Sequence, residues 1–476
     1  MSADSAPGPG AVSAGSATGP RDVSPDSATG PRTVSPGSAS ALRAVSGLTE
    51  QERLIAHASV VDLGPGYPRV TLPEWVVDTL TDAALIRAAL TVDGPDRPGT
   101  ARMAWEQRAV DAARTLLGIG SGPPGFVTFS GSTALDRAIK AATGEGGTLL
   151  TSNPSIDIAI AMALENRAVT VDYFPCQPFT PGVDTAELVA RRTDRTRAVL
   201  ITSPQNPTGQ ILTREALTAI IDFCVRHRLV LVADQTLCLF PERDGEPPER
   251  GGEPPQRGGR LPGRGGELAA QGGEPPQRGR ERVPLLPDLA PDELDWIFVW
   301  DTGKTFGLNE DKLGFLFCSP SMSQRVGVLL NTVQFGVARR LLAQFTAILT
   351  DPRLAAYLAW LNALVHRNGQ VLGAALADTG LHPRYPDGGS MMLVRIDESL
   401  AMTEQEVTGR LLTGHGVGVV GFNTFVHVPV LRNDPAHRFF RMALARDPGI
   451  ADVAAERLRA AARALHSGPR GSARPA

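Results

Sequence analysis

Cysteine is scarce in this chain. The four among 476 residues, Cys176, Cys224, Cys238 and Cys318, are scattered and never stand in a C-x-x-C pair. That spacing argues against a disulfide framework or a structural zinc site, so no metal is expected and a reducing cytoplasm fits. No apolar run approaches the roughly 18 residues of a transmembrane helix, and the N-terminus lacks the apolar core of a secretory signal. Charge of one sign is also missing: 47 Lys and Arg stand against 50 Asp and Glu, a formal net charge of −3. Such a balance gives no general attraction to nucleic acid or an anionic membrane, and neither is expected as a partner.

What is present is enough apolar material, 42% of the residues, for substantial cores in a chain of enzyme size. Residues 1–46 are dominated by Ser, Ala, Pro and Gly, with SATGPR at Ser16–Arg21 and again at Ser27–Arg32. Such a segment buries too little to offset its ordering entropy and reads as a disordered tail, with a flexible active-site arm as the functional alternative. Residues 241–283 break to Gly, Pro, Arg and Glu, with GEPPER at Gly245–Arg250 and GEPPQR at Gly252–Arg257 and Gly273–Arg278. This low-complexity insertion lies between two core strands and is expected to loop out without dividing the fold. A second short tail covers 466–476.

Between these segments, strands are expected at Phe126–Phe129, Thr148–Thr151, Ala198–Thr202, Leu229–Asp234, Trp296–Trp300 and Leu313–Phe317. Helices are expected from Arg102 to Leu117, with Ala104, Ala109, Ala113 and Leu116 on one face, and from about Arg214 to Arg226. This alternation predicts an α/β fold with a mostly parallel sheet covered on both faces. Farther on, Val326–Leu349 and Arg353–Leu376 read as two long helices. Ser390–Ile396, Val417–Val420 and Phe439–Leu444 read as strands of a smaller C-terminal region.

The chemistry concentrates at strand ends. Lys304 sits on the turn Asp301-Thr302-Gly303-Lys304 between two apolar runs, where partial desolvation lowers a lysine pKa and makes its amine nucleophilic. Ser130-Gly-Ser132-Thr133 opens a helix, either as a phosphate cradle of N–H groups and hydroxyls or as an ordinary cap. Asp234 ends an apolar strand, where a carboxylate is costly to bury unless it meets a cation. Gly64 and Gly66 form a tight turn that allows close approach of a ligand. Asp301 either orients Lys304 or recognises a cationic group.

The strings Pro204-Gln-Asn-Pro-Thr-Gly209 and Lys304-Thr-Phe-Gly-Leu308, followed by Lys312-Leu-Gly, resemble those of class I/II aminotransferases, the fold type I pyridoxal phosphate (PLP) enzymes. The resemblance runs from about Val60 to Leu465, insertion excluded. It implies an N-terminal arm and PLP-binding large domain over 47–325, and interdomain helices with a small α/β domain over 326–465. It also implies that Lys304 carries PLP and serves as catalytic base, and that Lys312, Ser132, Thr133 and Thr302 contact the cofactor toward its phosphate. Asn206 would meet the phenolic oxygen and Asp234 the pyridine nitrogen, while Arg441 grips the substrate α-carboxylate. Gly66 and Asp301 would face the substrate.

The implied activity is on an L-amino acid through an external aldimine and a quinonoid, with a keto acid, oxygen or another molecule as second substrate, in a homodimer. Transamination is the first expectation, within specialised metabolism. An oxidase, hydroxylase, lyase or cyclase is the alternative, and a degenerate PLP-binding protein without activity is another. Three features motivate the alternatives: Leu237 replaces the tyrosine of Asp-x-x-Tyr, Ser155-Ile156 replaces the aromatic that covers the pyridine ring, and Asp301 stands where the family often has a phosphate-binding serine. The string Asp301-Thr-Gly-Lys304 with Lys312 in place of arginine is similar to that of the PLP-dependent arginine oxidases and hydroxylases. Their Gly-His, however, corresponds here to Gly66-Tyr67.

Overall fold

The computed structural model describes residues 60–91, 100–175, 183–240, 283–428 and 438–467. The expected N-terminal tail, residues 241–282 of the insertion, 468–476 and Cys176 lie outside them. Two boundaries shift. Val283, counted with the insertion, is 2% exposed and packs in the same core cluster as Leu285 and Leu286, because an apolar side chain gains by burial what its polar neighbours do not. The C-terminal helix Pro448–Ser467 runs past Leu465.

A short strand β1 (Val61–Asp62) comes first. Seven strands then build the central sheet: β2 (Gly125–Thr128), β3 (Gly147–Asn153), β4 (Val169–Pro175), β5 (Thr196–Thr202), β6 (Val230–Asp234), β7 (Trp296–Asp301) and β8 (Gly314–Cys318). Their order is β2-β8-β7-β6-β5-β3-β4, and β8 alone runs against its neighbours. β6, β7 and β8 are buried at every position, as a sheet covered on both faces requires.

Alternation along the strands divides the core between the faces. Ala198, Leu200, Val232, Ile297 and Val299 pack with Ala134, Leu135 and Ala138 of helix Gly131–Thr143. Val199, Ile201, Leu231, Phe298 and Trp300 face the other way, in the cluster that holds Ala109, Ala113 and Leu117. In that helix, Thr100–Leu117, Ala104 is exposed; the buried stripe is Ala109, Ala113 and Leu117, with Val110 beside it.

The remaining strands are β9 (Leu381–Arg384), β10 (Met391–Ile396), β11 (Val417–Gly418), β12 (Val420–Gly421) and β13 (Phe439–Ala443). An antiparallel sheet runs β12-β13-β10-β9, while β11 pairs in parallel with β1. The single strand expected at Val417–Val420 is therefore two, because the chain changes partner at Val419. The helix expected from Val326 to Leu349 is also two, Pro320–Asn331 and Arg339–Leu349. Gly336, at φ 157°, lies in the break, a conformation that no helix continues through. No described helix is long and apolar enough to cross a membrane.

Candidate active site

A cavity of about 410 Å³ opens beyond the carboxyl ends of the parallel strands, where α/β sheets bind ligands. Ser132, Asn206, Asp234, Asp301, Lys304, Lys312, Gly66 and Arg441 all line it. Thr133 and Thr302 do not.

Thr302 is buried between β7 and β8. Its N–H donates to Leu313 O at 3.0 Å, and its Oγ1 accepts from Leu313 N at 3.0 Å. This staple fixes the turn that presents Lys304. The turn closes at Gly307, φ 70°, where a Cβ would meet Pro68 O at 2.4 Å. Lys304 N donates to Asp301 Oδ1 at 3.0 Å, so the carboxylate orients the lysine turn.

The Lys304 side chain, half-buried, reaches the cavity, its Nζ 5.6 Å from the centroid of the Tyr67 ring. Burial pulls its pKa below the usual range. Lys312 and Arg441 add to that effect, while Asp301 and Asp234 oppose it.

Asp234 lies at the end of β6. Its Oδ1 accepts from Thr236 N at 3.2 Å and Thr236 Oγ1 at 2.9 Å. Burial nevertheless raises its pKa, since those bonds and the Lys304 charge do not outweigh desolvation and the nearby Asp301. A carboxylate so placed is a site for a cation.

Helix Gly131–Thr143 opens onto the cavity. Ser130 Oγ caps that helix, accepting from Thr133 N at 3.1 Å. The two readings of the Ser130–Thr133 string thus fall to different residues: Ser130 and Thr133 make the cap, and Ser132 faces the cavity. A Cβ on Gly131 would come within 2.5 Å of Asp301 Oδ2, so only glycine admits that carboxylate. Lys312 Nζ donates to Asn309 Oδ1 at 2.9 Å on the cavity wall. Lys312, Ser132 and the helix start offer an anion site.

Arg441, on β13, comes in from the second sheet. Its Nη1 donates to Asn206 Oδ1 and its Nη2 to Gly64 O, both at 2.7 Å, and its guanidinium lies 4.8 Å from the centroid of Phe425. Burial lowers its pKa to about 10, opposed by Asp157, so the group stays charged at neutral pH.

Sequence reasoning missed several contributors. Arg446 is buried and donates to Asp62 O, Pro65 O and Tyr67 O at 2.7–2.9 Å, locking the loop that carries Gly64 and Gly66. Asp157, Asn309, Met391 and Phe425 line the cavity. Asp157 had a weak signal, an acid in the first turn of a helix, indistinguishable from an ordinary cap. Ile156 and Leu237, where the resemblance calls for aromatic side chains, are also on the wall. Among the described residues, no cluster of His, Cys, Asp and Glu could hold a metal ion.

Residues 106–237 match the family model for aminotransferase class I and II. Kynurenine–oxoglutarate transaminase 3 of Rattus norvegicus is 28% identical over 203 residues, 39% of this chain and 42% of that protein. A probable N-succinyldiaminopimelate aminotransferase of Mycobacterium tuberculosis is 31% identical over 194 residues, 39% of this chain and 46% of that protein. The matched region spans less than half the length of these curated relatives. The structure of N-succinyldiaminopimelate aminotransferase from Mycobacterium tuberculosis superposes with a TM-score of 0.68 at 18% identity, covering 87% of this chain and 97% of that one, and shows the shared fold. The stretch that matches the family model bears Ser132, Asn206 and Asp234, and the chain around it takes the fold of that aminotransferase structure.

Proposed function

We propose that the protein is a PLP-dependent aminotransferase acting on an L-amino acid in specialised metabolism, with a keto acid as second substrate. The observation that carries this reading is one cavity joining a lysine of lowered pKa, a buried carboxylate in need of a cation, and a buried arginine. The donor set fits the cofactor. Asp234 would hold the pyridine nitrogen protonated, and Ser132 and Lys312 would hold the phosphate. Asn206, its Oδ1 engaged by Arg441, would donate from Nδ2 to the phenolic oxygen. Ile156 and Leu237 supply aliphatic contact at the ring.

Bound there, PLP supplies an electron sink for the carbanion left when a proton leaves the substrate Cα. Arg441 orients the substrate by pairing with its α-carboxylate, a bidentate geometry suited to guanidinium. Lys304 Nζ, its pKa lowered by burial, accepts the Cα proton and returns it. Asp301 keeps the Lys304 backbone in register for that transfer.

A second reading is a non-transaminating oxidase, hydroxylase, lyase or cyclase. Leu237 favours it, because no hydroxyl stands where the family tyrosine would meet the phenolic oxygen. A cytoplasmic homodimer completes the proposal. Exposed Phe335 (88%), Val333 and Val328 give apolar surface for a second copy.

The experiment is the visible spectrum of the PLP-loaded protein while amino acids are added singly and oxygen uptake is recorded. Conversion to the pyridoxamine form, reversed by a keto acid, supports transamination. Oxygen uptake without pyridoxamine moves the assignment to the second reading. A Lys304→Ala protein with unchanged spectrum and activity would sink the role of Lys304.

A further inference from the structure

Among the charged groups of the cavity, Asp157 is the one that neither the fold nor the proposed cofactor uses. It opens helix Asp157–Glu165, lies between Ile156 and Ile158 on the cavity wall, and is 7% exposed. Among the described residues no side chain donates a hydrogen bond to its carboxylate or pairs with it as an ion. The Arg441 charge and the N–H groups of Ile158 and Asp157 act on it, and they do not offset its desolvation.

The other charges are accounted for. Asp301 accepts from Lys304 N, and Asp234 from Thr236. Lys312 is held by Asn309, and Arg441 by Asn206 and Gly64. A carboxylate nine-tenths buried beside two isoleucines is costly to keep unless a ligand meets it.

Resting on the reading of the cavity as an amino-acid site, we infer that Asp157 selects the substrate. The amino acid that fits carries a hydrogen-bond donor on its side chain, an ammonium or a hydroxyl, which bonds the Asp157 carboxylate. A site built to satisfy such a donor discriminates strongly against the isostere lacking it, because the buried acceptor is then left unpaired. Discrimination would thus come from the wall that carries Ile156 and Asp157, while Arg441 would take the α-carboxylate common to all amino acids with the guanidinium protons that Asn206 and Gly64 leave over.

The test compares isosteric pairs on the PLP-loaded full chain: L-lysine against L-norleucine, L-serine against L-alanine, and L-threonine against L-valine. Both kcat/KM and calorimetric affinity are read. In at least one pair the donor-bearing member should lead by about tenfold or more. The lysine and serine arms tell an ammonium from a hydroxyl. In Asp157→Ala and Asp157→Leu, which lack an acceptor, that ratio should fall toward one, while Asp157→Glu should keep its direction.

A wild-type protein indifferent to all three pairs overturns the inference. So does a ratio unchanged in the variants, or an equal loss for both members, which would make Asp157 a support for Arg441. Wild-type protein that retains no PLP overturns the amino-acid reading and this selectivity with it; protein that retains PLP without preference overturns the selectivity alone.

Discussion

Arg441 Nη1 donates to Asn206 Oδ1 at 2.7 Å, joining the antiparallel sheet to the loop that follows β5. The bond fixes the amide so that Nδ2 is turned away from the arginine, toward whatever acceptor the cavity holds. On the proposed reading, Asn206 would serve both the substrate and the cofactor. Asn206→Ala removes a hydrogen bond to a charged group, worth about 1.5–3 kcal/mol. KM for amino acids should rise on the order of tenfold, with a shift in the absorption of the PLP-loaded protein. Steady-state kinetics and a spectrum check both. A change in KM with no spectral shift would mean that Asn206 serves the arginine alone.

Asp234 gives a prediction whose sign follows from its raised pKa. A carboxyl whose folded pKa exceeds its unfolded value contributes stability that is complete below the unfolded pKa and lost as pH rises through the folded one. Above the unfolded pKa the cofactor-free protein therefore carries the cost that burial imposes on this carboxyl. Cofactor-free Asp234→Asn should melt at least as high as wild type at pH 7 and lose that advantage in acid. PLP should raise the wild-type Tm more than that of the variant. A large loss of Tm in the cofactor-free variant would contradict this.

Much of the site was legible because its residues stand next to strand ends, and buried parallel strands announce themselves as apolar runs. Val230–Asp234 and Trp296–Asp301 led straight to Asp234 and Lys304. Ser130–Thr133 was legible as a helix start, but which hydroxyl caps and which faces the cavity depends on rotamers that spacing does not encode. Thr302 Oγ1 accepts from the backbone of the neighbouring strand, a role that spacing does not distinguish from ligand contact. Arg446 left no signal at all. Its acceptors are backbone carbonyls more than 370 positions earlier in the chain, and carbonyls look alike in every sequence. The break between helices Pro320–Asn331 and Arg339–Leu349 was concealed by apolar residues that continue through it.

Arg446 supports a further prediction. Its guanidinium satisfies carbonyls of the loop whose Gly64 O holds Arg441 Nη2. Replacement by methionine leaves those buried carbonyls without a donor and frees the loop. Arg446→Met should cost about 3 kcal/mol or more of stability. It should also raise KM for amino acids more than it lowers kcat, because Arg441 loses an anchor while Lys304 does not. Thermal melting and a KM-against-kcat comparison test this. An equal loss in both constants would point to general unfolding.

Glu404 carries the last prediction. It opens helix Glu404–His415, and its Oε2 accepts from Asn423 N at 2.9 Å. That bond holds the turn Phe422–Phe425, whose Phe425 lies against Arg441 and accepts Ser155 N at its carbonyl at 3.1 Å. Burial pushes the Glu404 carboxyl up to about 8, with only the Asn423 N–H opposing. Since the folded pKa is raised, the stability from this group is complete below its unfolded pKa near 4.5 and is lost as pH rises through about 8. Wild-type Tm should fall between about pH 5 and 8, and KM for amino acids should rise between about pH 7 and 9 as the folded carboxyl ionises and Phe425 loosens beneath Arg441. Glu404→Gln keeps the carbonyl acceptor without the charge. Its Tm should exceed that of wild type on the order of 3 °C at the alkaline end, with no advantage at pH 5. Melting curves that stay parallel from pH 5 to about 9 would remove Glu404 as the titrating group.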